Sequence, residues 1–284
     1  MNPFFDSPQA KIDIENLYHQ QLENLEIRYE FKIVETSFGN TNVIITGTMD
    51  KPPLVLLHGT NSCAPIALTT LQGLEKEFRI YAVDILGQPN LSDPTRLDKK
   101  DNTYGQWMFE ILSCLNLWQV TLVGMSLGGF INLKTIVFDG RRIANVFLFA
   151  PEGIINGHHL SSKELNNWRR NPTLIEQYLA KLFTDKSTLA YDFLSKVLLH
   201  FEMDFSSVPI ITMEETQKIK TPINFIAAEN DDLFPSAKIL ERVKAIFPTL
   251  HQTLLLKNAR HFPSSMDNQL IVEFITKKFT QLKD

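Results

Sequence analysis

Cysteine is scarce in this 284-residue sequence, since only Cys63 and Cys114 occur, and this excludes a disulfide framework and a paired-cysteine metal site. No apolar run approaches the roughly 18 residues that a membrane-spanning helix needs. Residues 1–10 lack the basic and apolar regions of a secretory signal. With 28 basic and 32 acidic side chains, the formal net charge is −4, which disfavours a nucleic-acid partner. We therefore expect a cytoplasmic protein with no nucleic-acid partner and no membrane span.

Short apolar runs bounded by turn residues recur along most of the chain, as is typical of strands buried on both faces of a parallel sheet. The predicted strands cover residues 54–57, 80–85, 120–123, 146–150, 223–228 and 253–256. Helical patterns lie between most of them, over 103–117, 127–138 and 236–247, and a last one covers 267–282. This alternation predicts an α/β fold whose helices cover both faces of the sheet.

The N-terminal end of this pattern carries two additional elements. Apolar residues at helical spacing over 7–25 predict an N-terminal amphipathic helix. The β-rich stretches 27–36 and 43–48 flank Phe38-Gly39-Asn40, which predicts a hairpin. We expect a single domain over residues 1–284, with a core at about 26–151 and 217–284.

Residues 152–216 interrupt the alternation with helices and no convincing strand. Ser161 with Glu164, and Thr173 with Glu176, are typical of helix starts. An insertion of this length on a compact sheet is usually functional, and this one is rich in aromatic residues. We interpret it as a helical lid, and the alternative is a helical excursion that packs on the core for stability.

The string Gly124-Met125-Ser126-Leu127-Gly128 follows a predicted strand and opens a predicted helix. That context is what a nucleophile on a strand-to-helix turn requires. The turn strains the serine backbone and leaves its hydroxyl exposed, and neighbours without side chains provide the space. The helix N-terminus also stabilises negative charge. The pattern predicts that Ser126 is a nucleophile, and the alternative is a glycine-rich turn with an uninvolved serine.

Together with this string, three other segments and His261 resemble the α/β-hydrolase superfamily, and within it the carboxylesterase-like serine hydrolases. The segments are Leu56-Leu57-His58-Gly59, Val83-Asp84-Ile85-Leu86-Gly87 and Asp231-Asp232-Leu233-Phe234-Pro235. The resemblance implies an α/β-hydrolase fold, a mostly parallel sheet flanked by helices with a helical lid insertion. It also implies hydrolysis of a small to medium carboxylic ester, without a cofactor.

A serine hydroxyl needs a base, and the base needs an orienting acid. The resemblance implies the chain order serine, acid, histidine. His261 follows the last predicted strand, where this family places its base. Asp231 lies four residues before Pro235, as the family acid commonly does, and Asp232 is the alternative. Glu229 is less favoured, and Glu152 would be considered if neither aspartate served.

The tetrahedral intermediate needs hydrogen-bond donors for its oxyanion. The resemblance implies the backbone N–H groups of Leu127 and Thr60 for this purpose, and a structural role for His58. The pair His158-His159 has no carboxylate at ligand spacing, so we expect no metal site.

Two classes of function remain open. The first is ester hydrolysis through an acyl-enzyme on Ser126, with thioester, lactone, amide or carbon–carbon bonds as other possible targets. The second is a non-hydrolytic protein of the same fold that binds a ligand or partner for signalling, because fold does not determine function. The natural substrate and the oligomeric state are left open.

Overall fold

The computed structural model describes residues 3–158, 160–186 and 188–280, and within them eight strands form one sheet in the order β1-β2-β4-β3-β5-β6-β7-β8. The strands are β1 Tyr29–Thr36, β2 Gly39–Thr46, β3 Pro53–Leu57, β4 Arg79–Val83, β5 Val120–Met125, β6 Ile143–Phe149, β7 Ile223–Ala228 and β8 Leu250–Leu256. Strand β2 is antiparallel to β1 and β4, whereas the pairs from β4 to β8 are parallel. The predicted fold class, a mostly parallel α/β sheet, is confirmed.

The helices cover the sheet between these strands. They are α1 Pro8–Asn24, α2 Ala64–Thr70, α3 Thr103–Cys114, α4 Leu127–Asp139, α5 Ser162–Arg169, α6 Pro172–Leu182, α7 Leu189–His200, α8 Met213–Lys218, α9 Ser236–Ile246 and α10 Ser265–Thr280. The helix predicted over 267–282 begins two residues earlier, and Leu282 lies outside the described residues. Within the described residues, no helix combines the length and the apolar composition that crossing a membrane requires.

Burial along the strands follows their place in the sheet. All six residues of β7 are buried, because helices cover both faces of a parallel strand. The edge strand β1 instead exposes Phe31 and Ile33, at 44% and 55% of their surface. The carboxyl ends of β3, β5 and β7 lie at one edge of the sheet, where sites form in folds of this kind.

Helices α5 to α7 and the first part of α8 lie between β6 and β7 in residues 152–216, which we call the helical insertion. One part of it is joined to the N-terminal segment, since the Asp6 N–H donates to the His200 carbonyl over 3.0 Å. Another part is joined to the loop after β8. There, the Thr184 N–H donates to the Phe262 carbonyl over 2.9 Å, and the Phe183 and Phe262 rings stack with centroids 4.2 Å apart. The helical insertion is therefore bound both to the N-terminal segment and to the loop after β8.

Candidate active site

Ser126 lies on a sharp turn between β5 and α4. Its backbone adopts φ 50° and ψ −115°, a region that non-glycine residues rarely occupy and that stores strain. A methyl group on Gly128 would lie 2.6 Å from the carbonyl oxygens of Leu57 and His58, so the close approach of helix and strand requires glycine there. Gly59 leaves room for the Ser126 side chain, because a Cβ at position 59 would lie 3.2 Å from the Ser126 Cβ.

His261 is paired with Asp231 at the carboxyl edge of the sheet. The His261 Nδ1 and the Asp231 Oδ2 are 2.8 Å apart, and both side chains are buried. The other oxygen of Asp231 accepts hydrogen bonds from the N–H groups of Leu233 and Phe234, at 2.8 and 3.1 Å. These bonds fix the carboxylate, which in turn fixes the orientation of the imidazole ring.

The two alternative acids of this loop face elsewhere. Asp232 is exposed, with its Oδ2 4.0 Å from the Arg260 guanidinium. Glu229 pairs with the Lys257 ammonium at 2.8 Å and accepts the N–H of Asn258. Of the carboxylates after β7, Asp231 is thus the one that contacts His261.

Opposing influences act on the pKa of His261. Burial disfavours the charged ring and is the largest single influence, but the charge and hydrogen bond of Asp231 and the charge of Glu152 favour it. Together the carboxylates outweigh burial and raise the pKa of His261 above its ordinary value of 6.5. The ring therefore holds a proton more readily than a free histidine does.

The Ser126 hydroxyl hydrogen-bonds to a carboxylate that the sequence indicated only as a fallback acid. The Ser126 Oγ donates to Glu152 Oε1 over 3.2 Å, and the Thr60 Oγ1 donates to the same oxygen over 2.6 Å. Within the described residues Ser126 makes no hydrogen bond to His261, although both line the same cavities. The signal available in the sequence was the position of Glu152, three residues after β6, at the edge where the site forms.

Thr60 and Leu127, the expected oxyanion donors, flank Ser126. Leu127 is the first residue of α4 and is buried, and Thr60 follows Gly59 in the loop after β3. In the part of the chain that the structure describes, no hydrogen bond occupies the backbone N–H of either residue. An oxyanion site requires N–H donors that have no other acceptor.

His58 supports the loop after β4. Its Nδ1 lies 2.8 Å from the Gly59 carbonyl, and its Nε2 accepts the Ile85 N–H over 3.0 Å. Complete burial lowers its pKa to about 4, so the ring is neutral. The ring thus hydrogen-bonds to loop backbone, in agreement with the structural role expected of His58.

Three other histidines after Ser126 that the structure describes, His158, His200 and His251, do not line the cavities at the nucleophile. His158 and His251 are exposed, and His200 contacts Asp6 at 3.0 Å. His159, the second member of the pair considered for a metal, lies outside the described residues.

Two cavities meet at Ser126 and His261. The smaller is about 30 Å³ and mostly apolar, with Ile66, Ala67 and Phe149 in its wall. The larger is about 270 Å³ and extends under the helical insertion. Its charged residues are Lys99, Glu152, Asp204 and His261. An ester has an acyl part and an alcohol part on the two sides of its scissile bond, here called its two limbs. The site offers two cavities of different size and polarity to receive them.

Comparison with known proteins agrees with this architecture. A family model described as "alpha/beta hydrolase fold" matches residues 52–206, and the chain therefore belongs to the α/β-hydrolase family. The chain is 24% identical over 273 residues to "Uncharacterized carboxylesterase nap" of Bacillus subtilis (strain 168), covering 92% of this chain and 90% of that protein. It is 25% identical over 287 residues to carboxylesterase YbfK of the same strain, covering 95% and 96%. The crystal structure of naproxen esterase (carboxylesterase NP) from Bacillus subtilis matches with a TM-score of 0.85 at 23% identity, covering 96% of this chain and 99% of that chain.

Proposed function

We propose that the protein is a carboxylesterase that hydrolyses small to medium esters through Ser126, His261 and Asp231. The observation that carries the proposal is a serine on a strained strand-to-helix turn that shares its cavities with a buried histidine–aspartate pair. Relatives named as carboxylesterases, matched over nearly their whole length, support an ester as the substrate.

In this mechanism the Ser126 Oγ attacks the ester carbonyl carbon while His261 takes the hydroxyl proton. The hydroxyl must first turn from Glu152 to His261, which is a rotation about one side-chain bond. The N–H groups of Thr60 and Leu127 then stabilise the oxyanion of the tetrahedral intermediate. His261 gives its proton to the leaving alcohol, and water releases the acid from the acyl-enzyme in a second round of the same steps.

Asp231 holds His261 in the tautomer that this transfer requires. Its carboxylate accepts a hydrogen bond from the Nδ1–H group of His261, which leaves Nε2 free to act as the base. The helical insertion supplies apolar walls to the larger cavity, through Tyr178, Leu182 and Leu194 among others. We assign it the role of a lid that keeps water from the bound ester.

A fluorophosphonate probe tests this function directly. We expect covalent labelling of the wild-type protein on Ser126, visible by mass spectrometry, together with turnover of p-nitrophenyl butyrate. The Ser126→Ala variant, if folded by circular dichroism, should show neither. A folded wild-type protein that neither labels nor turns over esters contradicts the proposal and favours a non-hydrolytic ligand-binding role.

The raised pKa of His261 predicts an acid limb in the pH profile of activity. The neutral ring is the base, so activity is lost as pH falls through the His261 pKa, and we expect the midpoint of this loss to lie above 6.5. The quantity to measure is kcat/KM for a neutral ester across the range from about pH 5 to about pH 9, because this ratio reports the free enzyme. A midpoint at or below 6.5 would contradict the assignment of Asp231 and Glu152 as groups that favour the charged ring.

A further inference from the structure

Glu152 has a role that the triad leaves unexplained. Its side chain is buried, with 6% of the residue exposed, and it lines the larger cavity beside Ser126. The two groups that donate hydrogen bonds to the Glu152 carboxylate are neutral hydroxyls, those of Thr60 and Ser126. Within residues 3–158, 160–186 and 188–280, no basic side chain comes within 4.0 Å of its carboxylate oxygens.

The two basic side chains that line this cavity, Lys99 and His261, are already engaged with other carboxylates. The Lys99 ammonium contacts the Asp204 carboxylate at 2.8 Å and donates to the Ser206 carbonyl at 3.0 Å. His261 contacts Asp231. Because both groups are already paired, neither makes an ion pair with Glu152. A buried carboxylate without a cation is costly, and such groups are normally paired.

We propose that Glu152 recognises a cationic group on the substrate, specifically an ammonium group on the ester limb that occupies the larger cavity. The inference rests on the proposed esterase function and specifies its substrate class. The cavity of about 270 Å³ gives room for such a limb, whereas the other limb would occupy the smaller apolar cavity.

The position of Glu152 links this recognition to the reaction. A negative charge beside Ser126 opposes the oxyanion that forms on the ester carbonyl, and a substrate cation at Glu152 offsets that repulsion. An ammonium group that engages the carboxylate also competes with the Ser126 hydroxyl for the same oxygen. The hydroxyl is then free to donate to His261. A cationic ester should therefore gain in both binding and rate.

Isosteric ester pairs separate charge from shape. On the alcohol side we choose 3-(dimethylamino)propyl butyrate, which is protonated near neutral pH, and the neutral 4-methylpentyl butyrate. On the acyl side the pair is methyl 4-(dimethylamino)butanoate and methyl 5-methylhexanoate. We expect the cationic ester of at least one pair to exceed its neutral partner in kcat/KM by about tenfold, which corresponds to one engaged charge. Acid release in a pH-stat measures all four esters without a chromophore.

The Glu152→Gln variant keeps an amide oxygen that accepts from Thr60 and Ser126 but removes the charge. We expect it to reduce the cationic-to-neutral ratio to near one, because the cationic ester loses its partner while the neutral ester is relieved of the charge that opposes its oxyanion. Glu214→Gln is the matched control, because Glu214 is exposed on α8 and pairs with Lys218, and it should keep the wild-type ratio.

The outcomes distinguish this inference from the proposed function. Hydrolysis of the neutral esters without a preference for either cationic ester overturns the recognition role alone. A preference that persists in folded Glu152→Gln overturns it as well. If that variant fails to fold, the wild-type ratio decides: about tenfold supports the role, and parity overturns it. Hydrolysis of none of the four esters overturns this inference, and the esterase function is overturned with it if p-nitrophenyl butyrate is not turned over either.

Discussion

Replacing Ser126 by alanine should lower kcat for p-nitrophenyl butyrate by about ten thousand-fold or more, because the attacking atom is removed while binding and oxyanion donors remain. His261→Ala should cost about as much, since a nucleophile without its base gains little. The double variant should be no slower than either single one, because the two residues act as a unit. Steady-state kinetics of the three purified variants measures all of these losses.

The exposed histidine of α7 provides a matched control for the His261 variant. His200 contacts Asp6 on the surface, so His200→Ala should keep kcat within about twofold of the wild type. If folded His261→Ala retained most of its activity, another group would have to be the base. If kcat of the double variant were well below that of either single variant, this would likewise contradict the idea that the two residues act as a unit.

Changing Asp231 to asparagine should lower kcat by about ten thousand-fold, and changing the neighbouring Asp232 should leave kcat within about twofold. An amide at position 231 would no longer hold the His261 Nδ1 proton, so the ring would take the wrong tautomer. Asp232 is exposed, and its carboxylate lies 4.0 Å from the Arg260 guanidinium. The measurement is kcat for the same ester with both variants, alongside their unfolding midpoints.

This pair of variants is informative because the substitutions are chemically identical and adjacent. Equal and mild effects at both positions would place the orienting acid elsewhere, and Glu152 would then be the carboxylate to examine. A large effect at Asp232 with little at Asp231 would mean that the loop after β7 changes its arrangement during turnover.

The nucleophile turn could be predicted because its glycines are required by backbone contacts that any such turn makes. A Cβ at Gly128 would collide with main-chain oxygens, so the local sequence itself carries the constraint. The pairing of Asp231 with His261 could not be derived from spacing, because these residues are 30 positions apart and only the folded sheet brings them together. The family resemblance supplied it.

Helix starts show where local signals succeed and where they mislead. Ser161 and Glu164 form the reciprocal hydrogen bonds of a capping box at the start of α5. Thr173 and Glu176 have the same spacing, but α6 begins at Pro172 and its N-cap is Asn171, so that predicted start is wrong. Proline has a backbone preorganised for the first helical turn, and this outweighs the threonine cap.

Helix α2 and the contacts of Glu152 were harder to foresee. The first five residues of helix α2 are all apolar and buried. The sequence there does not alternate between polar and apolar residues at helical spacing, so it gives no periodic signal for a helix. The hydrogen bonds of Glu152 join residues from three distant segments, which no local pattern reveals.

The bridge between Phe183 and Phe262 has a consequence for how the protein admits its ligand. Two backbone hydrogen bonds and a ring stack join the α6–α7 connection to the residue next to His261. If this connection swung outward as a unit, it would carry the imidazole away from Asp231. The protein could then not admit a ligand and turn it over at the same moment, unless the ligand enters elsewhere along the larger cavity, such as beside Met203, Phe205 and Val208 in its wall. An entrance there would leave the base in place throughout the reaction cycle.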